Sequence, residues 1–176
     1  FNTISTINNH CQDHGMVSYN QSLQYLTSVG IHVINNTQSS ISLSLNNQIF
    51  HINLLGKSFG SNNVLARKHL PNAFISPDVL EFSDYHRNKL INELKKLSLD
   101  CDYSIFSYHW GYEAENEPSG NLVELSKLIQ HCGVTILYGH HSHIAQPAKI
   151  STDHKFISLF SSGNLNLNMH RSLYKN

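Results

Sequence analysis

Residues 134–143 read Val-Thr-Ile-Leu-Tyr-Gly-His-His-Ser-His, a short β-branched and apolar run that stops at a glycine and a histidine cluster. A run of this length bounded by Gly fits a buried strand; a helix needs about twice as many residues. In extended backbone, residues two apart face the same side, so His141 and His143 converge while His140 and Ser142 point away. Histidine is the commonest metal ligand, and an H-x-H at a strand end supplies half of a metal site. Working outward, His109-Trp110-Gly111, with Glu113 close behind, follows the strand-like DYSIFSY, and Asn8-Asn9-His10, with Asp13 and Gly15, follows the opening segment. Singly, the Asn-His pair reads as a turn with a surface histidine and His-Trp-Gly as a strand end with a packed Trp. All three together sit where open α/β sheets gather their ligands, on loops beyond the carboxyl ends of strands.

The rest of the chain supports that layout. Tyr19, Leu23, Leu26 and Val29 fall on one helical face over residues 16–29, with Gly30 as C-terminal cap. Residues 31–35 read as a strand. Residues 41–45 and 48–55 form a hairpin about Asn46-Asn47, a pair that tolerates positive φ. Residues 56–83 are rich in Gly, Ser, Asn and Pro and read as a long surface loop with one short helical turn. A second helix runs from Ser83 or Asp84 to about Leu99, burying Leu90, Ile91, Leu94 and Leu97. A third begins near Pro118, ends at Gly133, and turns Leu122, Leu125, Leu128, Ile129 and Cys132 inward. Residues 155–164 read as a last strand. Helices alternating with strands, plus an early hairpin, predict an α/β layer structure on a mixed sheet.

Composition narrows the function. With 176 residues the chain has the size of one domain, and 12 basic residues balance 12 acidic ones, leaving no electrostatic footprint for nucleic acid. No apolar run approaches the ~20 residues that cross a bilayer, and FNTISTINNH lacks the features of a signal peptide. Cys11, Cys101 and Cys132 are odd in number and show no C-x-x-C spacing, so each reads as a small buried hydrophobe. The 13 histidines are about three times an average composition. Of these, His32, His51, His69, His86, His131, His154 and His170 share no spacing and read as surface or structural residues.

The motifs NNHCQDHG, HWGYEAENEP, GHHSH and SSGNL, in this order over residues 8–165, resemble the CapA family of bacterial capsule and poly-γ-glutamate synthesis proteins, a branch of the calcineurin-like metallophosphoesterases. The resemblance implies a layered α/β sandwich with mixed sheets over residues 1–176, with 166–176 as a C-terminal tail. It also implies a site for two divalent metals (Mn, Fe or Zn) at which an activated hydroxide attacks phosphorus. Carried over by position, Asn9 would bind one metal through its amide oxygen, with His109 and His141 in the same region, and His143 would bind the other. His10 would contact the phosphoryl group as acid or electrostatic stabiliser, and Asp13 and Glu113 would orient histidines from behind. The implied partner is a phosphoester, or an anionic poly-γ-glutamate-like polymer held without catalysis. The implied location is outside the cytoplasm or at the cell envelope.

Several departures accompany the match. The family's first carboxylate ligands precede its N-N-H segment, and the chain opens on Phe1, which reads as a processed product or part of a longer protein. Ser142 stands for the usual Pro of H-P-H, Ala114 for an aromatic residue and Thr135 for an acidic one. Glu113, Glu115 and Glu117 read first as a solvated loop, and the acceptor patterns at Asn20 and Asn35 as chance. The first strand of the sheet is expected to be absent, leaving an open edge that promotes association. Size-exclusion chromatography checks this: a sharp monomer peak with cooperative unfolding would contradict it.

Overall fold

Strand β5 (Tyr103–His109) lies at the centre of a six-stranded sheet, and its alternation organises the molecule. The computed structural model describes residues 2–63, 65–70, 72–75 and 84–164. In chain order the elements are β1 (Thr3–Ser5), α1 (Gly15–Ser28), β2 (His32–Ile34), β3 (Ser39–Leu45), β4 (Gln48–Ser58), α2 (Ala66–His69), α3 (Asp84–Leu97), β5, α4 (Gly120–His131), β6 (Ile136–His140), β7 (Ala148–Ile150) and β8 (Ile157–Leu159). The large sheet runs β3-β4-β5-β6-β8-β7, parallel from β4 to β8 with an antiparallel strand on each edge, while β1 and β2 form a separate parallel pair. This is the layered α/β fold with a mixed sheet that the sequence predicts.

Phe106, Tyr108 and Trp110 point to one face of the sheet, into a core shared with Leu90, Leu94 and Leu97 of α3 and Leu122, Leu125 and Ile129 of α4. Ser107 and His109 point to the other face, where the Ser107 hydroxyl meets that of Ser5 on β1 at 2.9 Å. A smaller cluster of Ile7, Tyr19, Leu70 and Ala73 fixes the start of α1 beside this second face. The β1–β2 pair is held to the sheet where the Gly56 N–H donates to the Asn35 carbonyl at 2.6 Å. A Cβ at position 56 would stand 3.1 Å from that oxygen, so glycine permits the approach.

The hairpin turns at Asn46 and Asn47, both at positive φ, as their side chains allow. Three differences from the sequence reading have physical causes. Strand β4 continues to Ser58, because parallel pairing with β5 as far as His109 outweighs the glycine at position 56. Strand β7 was not expected: three exposed residues give no burial periodicity, and it exists only through its pairing with β8. Cys132 is buried as expected, but Cys11 and Cys101 are only partly so; all three are free, and burial pushes each thiol up. The Ser83 cap, Leu165, His170 and the 166–176 tail lie outside the described residues.

Lys57, on the helix face of β4, is 1 % exposed. Its ammonium is held by Glu93 at 2.9 Å and by the Asn72 carbonyl, and burial lowers its pKa while Glu93 opposes the shift. Among the described residues no helix is long and apolar enough to cross a membrane.

Gly139, one residue before the end of β6, sits where β6, β8 and Trp110 converge. A Cβ there would collide with the Phe160 carbonyl oxygen and stand 2.5 Å from Trp110 Nε1. That indole N–H donates to the same carbonyl at 2.9 Å, and its ring stacks on Phe160. Gly139→Ala should therefore cost about 2–3 kcal/mol through overpacking and loss of this hydrogen bond. Gly120→Ala, which has open space around it, should stay within about 0.5 kcal/mol of the parent. Urea unfolding of both variants tests the contrast, and equal stabilities would refute the packing argument.

Candidate metal centre

The site is built from loops that leave β1, β4, β5, β6 and β8 at one end of the sheet. In the first loop, the His10 N–H donates to Asn8 Oδ1 at 2.9 Å, a local turn that presents Asn9 inward and His10 outward. Asn9 is buried, and its Oδ1 lies 2.8 Å from His109 Nε2 at the end of β5. His10 is 61 % exposed and its Nδ1 lies 2.6 Å from Asp13 Oδ2. The stretch after β4 holds this loop from behind: the Asn62 N–H donates to the Asn9 carbonyl at 2.8 Å, and the Asn63 side chain donates to the Gln12 carbonyl at 2.7 Å. Asn62 also places its amide nitrogen 3.3 Å from His10 Nδ1 and accepts from Asn9 Nδ2 at 3.3 Å.

The second half of the site comes from β5 and β6. Glu113, His141 and His143 each offer a ligand atom within 4.8 Å of the others. Backbone bonds bring their loops together: the Trp110 N–H donates to the His140 carbonyl, and the Ala114 N–H to the Ser142 carbonyl, both at 2.9 Å. His141 and His143 adopt φ of 117° and 63°, and Ala114 a φ of 62°, conformations that cost non-glycine residues energy and persist only when the surroundings impose them. The surroundings here include the buried Ser142, whose hydroxyl donates to the Ile144 carbonyl at 2.7 Å. Asn164 Oδ1 lies 2.8 Å from His143 Nδ1; as the amide oxygen can only accept, the ring donates there and keeps its Nε2 lone pair free. Gly163, at positive φ and packed where a Cβ would be 2.9 Å from the Ala145 nitrogen, permits that approach.

The donor set suits a divalent cation. Two ligands about 2.1 Å from one ion and at right angles stand about 3 Å apart, close to the separation of Asn9 Oδ1 and His109 Nε2. Imidazole with amide and carboxylate oxygens favours manganese, iron or zinc. His109 and His141 rings lie 4.5 Å apart, so the two donor groups adjoin, and the Phe59 ring packs against both.

The family model for the bacterial capsule synthesis protein PGA_cap matches residues 1–169. The chain belongs to this capsule synthesis family. A relative, the PGA biosynthesis protein CapA of Bacillus subtilis (strain 168), is 24 % identical over 157 residues, which cover 85 % of this chain and 39 % of that protein. The chain thus spans about two fifths of that relative's length.

The family motifs therefore converge in space: Asn9, His109, His141 and His143 stand together, with His10 and Asp13 at the rim and Glu113 beside the H-x-H pair. Asp13 does contact a histidine, His10. Glu113, given an orienting role by the family resemblance, offers a carboxylate oxygen beside His141 and His143, and Glu115 and Glu117 are exposed. His140 is the larger correction. Expected to point away from the site, it places Nδ1 2.7 Å from His109 Nδ1, because β5 and β6 pair in register with His109 opposite His140. Asn62 and Phe59 were also missed: they sit in a stretch whose Gly, Ser and Asn content reads as loop, and no local periodicity marks them. Asn164, within SSGNL, was signalled by the motif but not by any chemistry of its own.

Burial holds the central rings neutral. It pushes His109 down to about 2, with His140 and His141 adding to the effect, and His140 down to about 4. His141 is also lowered by burial, with Glu113 opposing. The lone pairs of these rings are therefore not lost to protons at neutral pH. Between these values and the ordinary 6.5, the unfolded chain binds protons that the folded chain refuses. Stability is complete above about pH 6.5 and drains as pH falls, by at most ~1.4 kcal/mol per pH unit for each histidine. The melting temperature of metal-free protein should accordingly drop between pH 6.5 and 5; a flat profile would mean that both rings take up protons while folded.

Proposed function

We propose that this family member carries a metal-dependent phosphoester-hydrolysing site in capsule or poly-γ-glutamate biosynthesis, with Asn9, His109, His141 and His143 as metal ligands and Glu113 as an added carboxylate ligand. The supporting observation is the meeting of two adjoining donor groups, Asn9 with His109 and Glu113 with His141 and His143, at one end of the sheet. A divalent ion bound there supplies charge neutralisation at a phosphoryl group and activation of water. Everything else falls to the chain. Asn62 and Asp13 hold His10 at the exposed rim, where its ring faces an entering phosphoryl oxygen and gives a hydrogen bond or proton to it. Phe59 excludes water from one side of His109 and His141, and the neutral rings stay available as donors.

A second reading has its own support: the relative is named for polymer biosynthesis, not for phosphate release. On that reading the same donors hold an anionic polymer through a bound cation without cleaving it. Location at the cell envelope is part of both readings.

His10 separates the two. His10→Ala should retain its metal yet lose turnover on phosphomonoester or phosphodiester substrates by about 100-fold or more, whereas His141→Ala/His143→Ala should lose metal and activity together. Metal analysis and turnover on the same samples test this. Metal-loaded parent protein without turnover, but with retained poly-γ-glutamate, would favour the binding module.

A further inference from the structure

The stretch that follows β4 is fastened to the loop carrying Asn9 at several points. The Asn62 N–H donates to the Asn9 carbonyl at 2.8 Å, the Asn63 side chain donates to the Gln12 carbonyl at 2.7 Å, and the Ser61 hydroxyl donates to the Asn9 carbonyl at 3.4 Å. The stretch is also braced within itself: the Asn63 N–H donates to Ser61 Oγ at 3.1 Å, and Asn63 Oδ1 accepts from the Leu65 N–H at 2.9 Å. The Asn62 side chain is thereby delivered to one place, between Asn9 and His10.

Its bond to Asn9 has a direction. The two ends of a carboxamide are alike in shape and opposite in chemistry: the oxygen carries lone pairs for a cation, and the NH2 group only donates. Asn62 Oδ1 accepts from Asn9 Nδ2 at 3.3 Å, which leaves Asn9 Oδ1 facing His109 Nε2 at 2.8 Å. Turning Asn9 alone would set its oxygen against that of Asn62. Asn9 is buried, so bulk water does not replace the bond lost in such a turn.

We propose that Asn62 is a positioning residue that holds the Asn9 side chain with its oxygen, not its nitrogen, towards the cation. This rests on the metal-site reading above, and it gives Asn62 a task distinct from its contact with His10. Without the acceptor at position 62, Asn9 is free to turn half-way round about its last side-chain bond and to present NH2 where a ligand oxygen belongs. Partners behind a metal ligand commonly contribute about 10- to 100-fold in metal affinity. A carboxylate at position 9 needs no such partner, since both of its ends are oxygens.

That difference supplies the test. Zinc affinity is measured for Asn62→Ala and for Asn62→Leu, the second filling the space of the amide without its polar atoms, each made in the parent and in Asn9→Asp. His109→Ala identifies the zinc ion that sits beside Asn9, and cooperative thermal unfolding shows that each variant is folded. In the parent background both substitutions should weaken zinc binding about 10-fold or more; in the Asn9→Asp background they should change it by less than about twofold. Equal losses in the two backgrounds would mean that Asn62 only braces the loop, and would overturn the proposal. Zinc affinities within about twofold of the parent in folded variants that keep Asn9 would overturn it too, with the metal-site reading left standing. Zinc binding that His109→Ala leaves unchanged would remove the ion beside Asn9, and both readings with it.

Discussion

Strand β5 has two faces with opposite chemistry, and the rest of the structure depends on keeping them apart. Phe106, Tyr108 and Trp110 fill the space beneath α3 and α4, while Ser107 and His109 face β1 and the loop that carries Asn9. A slip of one residue in register would carry three aromatic side chains to the polar face and two polar ones into the core. Burying the aromatic side chains is worth on the order of 2–3 kcal/mol each, so that register is strongly enforced. The position of His109 is thus a by-product of where its aromatic neighbours must go.

The neighbouring strand obeys the same constraint. β6 pairs with β5 in parallel register, so His140 is set opposite His109 and Gly139 opposite Tyr108. At Gly139 the chain comes so close to β8 and to Trp110 that no side chain fits, and immediately beyond it His141 and His143 take positive φ. Backbone bonds from Trp110 and Ala114, together with the buried Ser142, over-determine that conformation and offset its strain. Packing of the core thereby sets the positions of the candidate ligands.

A polar interior of this kind is stable only if its groups find partners. Asn53 donates to the carbonyls of Leu97 and Leu99 at the end of α3, Ser104 and Thr135 bond reciprocally, and Lys57 is paired with Glu93. Among the described residues the one buried side-chain atom without a partner is Gln12 Oε1, in the loop behind Asn9. Burial likewise holds His109 and His140 neutral, which removes repulsion between these adjacent rings and preserves their capacity to bind one another or a cation.

Local spacing carries the order of the larger helices and strands, the amphipathic faces of α3 and α4, the Asn46-Asn47 hairpin and the three strand-end motifs. His141 and His143 do lie close together, but not by the alternation of extended backbone that the sequence suggests: both take positive φ in the turn that follows β6. Only the tertiary structure decided what lies across from what. His140 was assigned to the wrong side because its partner, His109, is 31 residues away and reaches it through strand register rather than through any periodicity. Asn62, Phe59 and Asn164 were hidden for the same reason: a loop residue enters the site through the hydrogen bonds and close approaches of distant segments. The short strand β7 is likewise a product of pairing, without a burial pattern of its own. Local sequence set which side chains could do chemistry, and the pairing of β5 with β6 set which of them meet.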